Sequence, residues 1–175
     1  GDVTLAERGG AKLPGVDFSN SPTEILDQDF AGKHVVISST NGTECIRVAG
    51  GRDNPVLIGT VNNARAVARA AEAIARAEGR SITLLAAGRN NQPAIEDRIG
   101  VTRILEHLET PWVRGTLNPC YSDNLARDFL SSDSGMNLVS LGYGSDVIHC
   151  ADEDRFDLVG RFDGTTIRSL GDADT

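Results

Sequence analysis

The sequence predicts an α/β fold in which helices cover both faces of a mostly parallel β-sheet. Short apolar runs alternate along the chain with segments of helical periodicity, which is the order of β-α-β units. The runs in the middle of the chain are continuously apolar rather than alternating, as expected for strands covered on both faces. A length of 175 residues suits one domain with a substantial core, so we expect a single α/β domain over residues 1–175.

Five apolar runs are predicted strands. They cover residues 3–6, 34–38, 56–59, 82–87 and 156–159. The first run begins almost at the first residue, which is also consistent with a form shortened at its N-terminus. In open parallel sheets, ligand sites lie at the carboxyl ends of the strands. The residues that follow these runs are therefore the first candidates for a functional site.

The clearest helix is predicted over residues 62–78, followed by Gly79 at a natural helix-ending position. Its small apolar residues form one stripe: Ala64, Val67, Ala68, Ala71, Ile74 and Ala75. Ser21-Pro22-Thr23-Glu24 is a capping-box pattern with proline at the first helical position, and it predicts a short helix that ends near Gln28. Three further helices are predicted, over residues 95–108, 122–130 and 134–141.

The charge of the chain excludes one large class of partners. The net charge is −8, and only 2 of the 17 basic residues are lysines, whereas 16 of the 25 acidic residues are aspartates. A nucleic-acid-binding protein needs a basic face, so we expect no nucleic-acid partner. Acidic, lysine-poor chains suit a salty cytoplasm, although codon usage that replaces lysine with arginine would leave the same pattern.

The pattern of apolar and cysteine residues predicts a cytoplasmic protein. No apolar run approaches the roughly 18 residues that a membrane span needs, and no signal peptide opens the sequence. Cys45, Cys120 and Cys150 are too few and too scattered for a disulfide framework, and none forms a CxxC pair. We therefore expect reduced thiols and no membrane partner.

The first candidate junction follows the apolar run 35–37. It reads Ser38-Ser39-Thr40-Asn41-Gly42-Thr43, in which hydroxyls, an amide and a glycine precede a helix. Such a junction presents several hydrogen-bond donors to an anion. No lysine follows the glycine, so the spacing is not that of a Walker A loop. The alternative is an ordinary turn between strand and helix, and the spacing alone favours that alternative.

The second candidate junction follows the run 82–85. Arg89, just beyond the strand, has the forked guanidinium that binds a phosphate or sulfonate. Glu96 and Asp97 are adjacent carboxylates in the first turn of the next helix, and carboxylate oxygens are ligands of Mg²⁺. The alternative is that the two acids only complement the helix dipole.

The third junction, Glu7-Arg8-Gly9-Gly10, ends the first strand with a carboxylate that could bind metal or act as a base; the alternative is a solvated ion pair. A site built on a nucleophilic cysteine fits the sequence poorly. A thiolate phosphatase needs five residues between its cysteine and arginine, and no cysteine here has that spacing to an arginine. His34, His107 and His149 show no ligand spacing and are predicted to be structural.

In order and spacing, these motifs resemble the 2-phosphosulfolactate phosphatase family over roughly residues 5–160. The motifs that carry the resemblance are Glu7-Arg8-Gly9, Asp17 to Pro22, Ser39 to Thr43, Val61-Asn62-Asn63-Ala64, Ala87-Gly88-Arg89 with Glu96-Asp97, Ser134-Gly135, Leu141-Gly142, Asp146-Val147, Cys150-Ala151 and Asp154-Arg155-Phe156-Asp157.

The resemblance implies an α/β architecture specific to that family. It also implies the Mg²⁺-dependent hydrolysis of 2-phospho-3-sulfolactate, or of a related small phospho-acid. The products from 2-phospho-3-sulfolactate are sulfolactate and phosphate, and the reaction is a step toward coenzyme M. It implies a small anionic phospho-acid as the substrate. The oligomeric state stays undetermined at this point, and a homo-oligomer is one of the alternatives. It assigns catalysis to Arg89, Asn41, Thr43 and Glu7, substrate binding to Gly42, Asn20 and Arg89, and the metal to Glu96 and Asp97.

One departure from the family pattern bears on activity. Members usually carry an N-terminal stretch before the match to Glu7, and nothing in this sequence matches it. Two hypotheses therefore stay open. The protein is a metal-assisted phosphatase in which water attacks the phosphoryl group directly, or it is an inactive member that binds a small phosphorylated or sulfonated acid.

Overall fold

The computed structural model describes residues 1–50, 54–90, 92–109 and 121–171. In the first half of the chain, the strands are β1 (Val3–Arg8), β2 (Ala11–Lys12), β3 (Val35–Ser38) and β4 (Val56–Ile58), and the helices are α1 (Pro22–Ile25), α2 (Gly42–Ala49) and α3 (Ala64–Glu78). The second half contains helices α4 (Ile95–Glu106), α5 (Leu125–Leu130), α6 (Asp133–Ser140) and α7 (Gly144–Cys150), followed by strands β5 (Gly160–Phe162) and β6 (Ile167–Ser169).

The strands form two small sheets. The first has the order β2-β1-β3, in which β1 is parallel to β3 and antiparallel to β2. The second has the order β4-β5-β6 and is antiparallel throughout. The α/β class is therefore confirmed, whereas the described residues do not form the mostly parallel sheet that the sequence predicts.

Two predicted strands differ from the structure. Residues 82–87 are not paired in either sheet of the described chain, although five of these six residues are apolar. Residues 156–159 precede β5 and are not a strand of either sheet, and two of their backbone groups bond to the 3-10 turn before α3. The N–H of Phe156 donates to the carbonyl of Asn62 at 2.9 Å, and the Asn63 amide donates to the carbonyl of Leu158 at 2.9 Å.

The predicted helices are present with small shifts at their ends. The side chain of Ser21 caps α1 by accepting from the backbone N–H of Glu24, as the capping-box pattern predicts. The long helix α3 begins after a 3-10 turn at Val61–Asn63 and ends at Gly79, whose φ of 65° is the left-handed conformation that glycine adopts easily. Helix α7 is not among the predicted helices.

Two apolar clusters form the core. Ala64, Ala68 and Val67 of α3 pack with Ile104 of α4 and Val159. Val61, Ile99, Leu125, Phe129 and Val147 form the second cluster, which joins α4, α5 and α7. Within the described ranges, no helix combines the length and the apolar character that a membrane span needs.

Candidate active site

The three predicted junctions meet at one cavity of about 370 Å³. That volume is within the range of small-molecule sites. The cavity lies where β1 and β3 end, between the loop before α4 and the helices α6 and α7. Its lining consists of Glu7, Gly9, Gly10, Ser19, Asn20, Ser21, Pro22, Ser39, Thr40, Asn41, Gly88, Arg89, Asn90, Glu96, Ser134, Asn137, Leu138, Tyr143, Asp146 and Cys150.

Glu7 connects the end of β1 to the loop after β3. One carboxylate oxygen accepts hydrogen bonds from the backbone N–H and the hydroxyl of Thr40, at 2.7 and 2.9 Å, and the other accepts from the N–H of Gly10 at 2.8 Å. Burial opposes ionisation, but these hydrogen bonds outweigh it and lower the pKa of Glu7. Glu7 is therefore held as an anion that connects two loops.

The loop after β3 places Asn41 at the cavity, but not Gly42 or Thr43. The side-chain oxygen of Asn41 accepts from the backbone N–H of Asn90 at 3.2 Å, which joins the first and second junctions. The hydroxyl of Thr43 donates to the carbonyl of Ser39 at 3.0 Å, and the N–H of Thr43 donates to the Ser39 hydroxyl at 3.1 Å. Both polar groups of Thr43 thus act within the start of α2.

Arg89 lies in a tight loop that ends at the cavity. Its backbone exchanges two hydrogen bonds with Gln92, at 2.8 and 2.9 Å. Gly88 has a φ of 70°, and a Cβ atom there would come within 2.6 Å of the Gln92 carbonyl, so this turn requires glycine. None of the ion pairs in the described ranges involves Arg89, whose guanidinium remains available to an anion.

The structure separates the two predicted metal ligands. Glu96 lines the cavity, whereas Asp97 lies behind the loop and accepts a hydrogen bond from the N–H of Gly88 at 3.1 Å. Burial and, to a smaller extent, the neighbouring Glu96 raise the pKa of Asp97. Of the two carboxylates, Glu96 is the one positioned to meet a ligand.

Asn20 has one satisfied and one unsatisfied polar group. Its side-chain NH₂ donates to the carbonyl of Ser38 at 2.8 Å, which fixes the amide against the end of β3. Its Oδ1 atom is buried and has no hydrogen-bond partner in the described part of the chain. A buried oxygen without a partner is costly, and a cation or a donor from a ligand would satisfy it.

The far wall of the cavity contains residues that the sequence does not single out as site residues. Asp146 of α7 is 4% exposed and accepts hydrogen bonds from the Ser21 hydroxyl at 2.8 Å and from both the N–H and the hydroxyl of Thr23. Cys150 lies one helical turn further along. Burial and the nearby Asp146 raise its pKa to about 11, so the sulfur is a protonated thiol at neutral pH. Asp146-Val147 and Cys150-Ala151 occur among the motifs of the resemblance, and that is the only signal in the sequence that points to these residues.

The cavity contains more negative than positive charge. Among its described lining residues, three are acidic, Glu7, Glu96 and Asp146, and Arg89 is the only basic one. A pocket with this balance attracts cations and repels polyanions when nothing else is bound.

A second group of potential metal ligands lies outside the cavity. Ligand atoms of His107, Glu153 and Asp154 all lie within 4.8 Å of one another. The neighbouring cations already neutralise this group, because Arg65 pairs with Asp154 at 3.1 Å and Arg103 pairs with Glu153 at 3.3 Å. The Nε2 atom of His107 lies 3.2 Å from Asp154. These contacts form an ion-pair network that joins α3, α4 and the turn after α7.

The fold and the cavity define an α/β protein with a polar small-molecule site at the end of its parallel strand pair. The chain belongs to the 2-phosphosulfolactate phosphatase family, because the model of that family, described as 2-phosphosulpholactate phosphatase, matches residues 1–165. This confirms the resemblance found in the motifs.

Curated relatives agree with the family match. The 2-phosphosulfolactate phosphatase of Methanocaldococcus jannaschii is 33% identical over 168 residues, which cover 90% of this chain and 71% of that protein. The probable 2-phosphosulfolactate phosphatase of Thermus thermophilus is 33% identical, and the match covers 86% of this chain and 66% of that protein. The probable 2-phosphosulfolactate phosphatase of Deinococcus radiodurans is 34% identical, and the match covers 86% of this chain and 65% of that protein. The chain thus spans about two thirds of the length of such relatives.

Proposed function

We propose that this protein is a phosphoric monoester hydrolase that releases phosphate from 2-phosphosulfolactate or a closely related small phospho-acid. The relatives named for this activity support the reaction. The observation that carries the proposal is the convergence of Arg89, the amide-rich loop at Asn41 and the carboxylate of Glu96 on one cavity. A phosphatase site needs such groups, because charge on the phosphoryl oxygens must be neutralised while water attacks.

The residues of the cavity fit a divalent cation. The excess of carboxylates would repel a polyanionic substrate, and a hard cation such as Mg²⁺ takes oxygen ligands of the kind found here. Glu96 would hold it, and the unpartnered Oδ1 atom of Asn20 offers a second oxygen. Mg²⁺ supplies charge neutralisation and a more acidic bound water. Asp97 would act indirectly, by holding the Gly88 turn.

The remaining assignments follow from the hydrogen bonds. Arg89 and Asn41 are proposed to bind the phosphoryl group, since both face the cavity and Asn41 is held against Asn90. Glu7 holds the Thr40 backbone and stays ionised. Gly42 and Thr43 are proposed to position the loop rather than to touch substrate, because the N–H and the hydroxyl of Thr43 both bond to Ser39. The high pKa of Cys150 argues against a thiolate nucleophile.

Phosphate release from 2-phosphosulfolactate, with and without Mg²⁺, tests the proposal. Phosphoglycolate and p-nitrophenyl phosphate serve as comparison esters. We expect Mg²⁺-dependent release with a preference for the sulfonated ester. Arg89→Ala should raise KM and lower kcat, and the matched variant Arg76→Ala on the exposed side of α3 should leave both unchanged.

Two results would count against this assignment. A change in kcat/KM of less than about threefold in Arg89→Ala, which corresponds to less than about 0.7 kcal/mol, would remove Arg89 from the site. Saturable binding of 2-phosphosulfolactate in excess Mg²⁺, with no release from any ester, would instead establish an inactive member that binds the acid.

A further inference from the structure

The two carboxylate oxygens of Asp146 have very different surroundings. Its Oδ1 atom accepts all the hydrogen bonds that the side chain makes, from the hydroxyl of Ser21 at 2.8 Å, from the N–H of Thr23 at 3.2 Å and from the hydroxyl of Thr23. Its Oδ2 atom accepts none from the described residues, although Asp146 is only 4% exposed. A buried carboxylate with one oxygen unbound is costly unless a ligand binds that oxygen.

The free oxygen of Asp146 reaches the cavity. Among the described residues that are buried or half-buried, Oδ1 of Asn20 is the one side-chain oxygen that is fully enclosed and has no partner. Because Oδ2 of Asp146 also lacks a partner, it touches open space, and Asp146 is a lining residue of the cavity. The donors of Ser21 and Thr23 hold Oδ1 toward α1, so Oδ2 is the oxygen that a ligand can contact.

Two oxygens without donors therefore lie on one wall of the cavity. Asn20 directly precedes Ser21, which bonds to Asp146, and the NH₂ group of Asn20 is fixed by its bond to Ser38. The free oxygens of Asn20 and Asp146 cannot bond to each other, because both only accept. A hard divalent cation satisfies both, since Mg²⁺ binds carboxylate and amide oxygens, and Glu96 adds a carboxylate to the same cavity.

The described chain supplies no positive charge to Asp146. Arg89 is the only basic residue among the described residues that line the cavity, and none of the ion pairs in the described ranges involves Asp146 or Arg89. Hydrogen bonds from neutral hydroxyl and N–H groups orient the carboxylate but leave its charge uncompensated. A buried charge without a paired cation is the arrangement that a bound metal ion completes.

We infer that Oδ2 of Asp146 is a direct ligand of the divalent cation in the cavity, together with Oδ1 of Asn20 and the carboxylate of Glu96. This inference rests on the proposed function, which requires that cation, and it adds a ligand from α7. The donors of Ser21 and Thr23 then act as an outer shell, because they fix the orientation of the carboxylate that meets the metal.

Asp146→Asn tests the inference without removing the contact with α1. The amide keeps an oxygen for the donors of Ser21 and Thr23, and it places an NH₂ group where the free oxygen was. Binding of Mn²⁺, which takes the same octahedral oxygen ligands as Mg²⁺, is measured from the electron paramagnetic resonance signal of free Mn²⁺ at constant ionic strength. We expect the Kd to rise about tenfold to a hundredfold, since the loss of even an outer-shell partner has an effect of that size.

Glu7→Gln is the matched control, because it removes the same charge from the same cavity. Both carboxylate oxygens of Glu7 are already bonded, one to Thr40 and the other to Gly10, so Glu7 has no free oxygen for a metal. We expect a clearly smaller rise in Kd, since this variant removes only the electric field of the charge. Equal rises in Glu7→Gln and Asp146→Asn would show that Asp146 acts through its field, and would overturn the inference.

A measurement on the unmodified protein needs no variant to fold. Mn²⁺ broadens the amide NMR signals of nearby residues, so substoichiometric Mn²⁺ maps the bound ion. We expect the strongest broadening at Asn20, Ser21 and Asp146, together with Glu96. Broadening centred on residues 152–154 would place the ion instead at the group of His107, Glu153 and Asp154, and would overturn the inference.

Two further results separate this inference from the proposed function. Mn²⁺ binding that is lost in Glu96→Gln but unchanged in Asp146→Asn would overturn the role of Asp146 and leave the metal-assisted phosphatase intact. An absence of saturable Mn²⁺ binding by the unmodified protein would overturn the metal in the proposed function, and the role of Asp146 with it.

Discussion

At Asp97, burial and a neighbouring carboxylate act in the same direction on one carboxyl group. Both raise its pKa above the ordinary value of 3.8, so the folded protein keeps this proton at a pH where the unfolded chain has lost it. The contribution of Asp97 to stability is therefore complete below the ordinary pKa and is lost as the pH rises through the raised one.

Asp97→Asn removes this dependence, since an amide does not titrate and still accepts from Gly88. We expect the free energy of unfolding of the variant, relative to the unmodified protein, to increase between pH 3 and pH 7. Asp163→Asn is the contrasting variant, because hydrogen bonds from the N–H groups of Thr166 and Thr165 lower the pKa of Asp163. The free energy of unfolding of Asp163→Asn, relative to the unmodified protein, should therefore decrease over the same pH range. Denaturant unfolding at pH 3 and at pH 7 measures the free energy of unfolding of both variants and of the unmodified protein. A difference for Asp97→Asn that stays constant with pH would contradict the raised pKa.

A second prediction at this scale concerns two helical glycines. A Cβ atom at Gly135 would lie 1.8 Å from the carbonyl oxygen of Phe129, so Gly135→Ala should destabilise the protein by about 3 kcal/mol or more, because backbone must move. Gly100 in α4 has open space around it, and Gly100→Ala should stabilise the helix by about 0.5–1 kcal/mol. Thermal unfolding compares the pair, and equal effects would disprove the close packing of α5 against α6.

At the scale of elements, Asp146 fixes α1 to α7 from one end of the cavity. Asp146→Ala would leave the buried Ser21 hydroxyl and the polar groups of Thr23 without this acceptor. We expect a loss of about 2–3 kcal/mol in the free energy of unfolding. The control is Asp133→Ala in the first turn of α6, an exposed acid whose removal should cost under about 1 kcal/mol. Similar losses in both variants would show that Asp146 does not join the two helices.

The elements that sequence predicts well are those whose signals are local. Helix α3 has its apolar stripe, and α1 has its serine cap and proline within four residues. Strands depend on partners that are distant in the chain. Residues 82–87 have the composition of a buried strand, but among the described residues no strand of either sheet pairs with them. In residues 156–159, the N–H of Phe156 bonds to the carbonyl of Asn62, and the carbonyl of Leu158 accepts from the amide of Asn63.

The candidate site, like the strands, is predicted from the sequence only where its signals are local. Junctions after strands are visible in the sequence, and Glu7, Asn41, Arg89 and Glu96 do meet at one cavity. Tertiary contacts decide the rest. The hydroxyl of Thr43 bonds back into α2, and Asp97 bonds to the Gly88 turn. The wall at Asp146 and Cys150 belongs to α7, which packs against the cavity through contacts between α1 and α7 rather than through any local pattern.

At the scale of the whole molecule, the net charge of −8 makes any divalent cation stabilising to some extent through screening. A specific site must be separated from that general effect. Glu96 lines the cavity with Glu7 and Asp146, whereas Glu78 lies at the end of α3 and pairs with Arg80 at 2.7 Å. Glu96→Gln and Glu78→Gln therefore remove the same charge from two different places.

We expect Mg²⁺ to raise the Tm of the protein beyond the rise given by NaCl of equal ionic strength. At a Mg²⁺ concentration of a hundred times Kd, a single site stabilises the folded protein by about 2.7 kcal/mol. Glu96→Gln should lose most of this additional rise and Glu78→Gln should keep it, because only the former changes the oxygen ligands of the cavity. Thermal unfolding at matched ionic strength makes the comparison. An equal Mg²⁺ effect in the two variants would mean that the cation screens the surface charge and that the cavity holds no metal at Glu96.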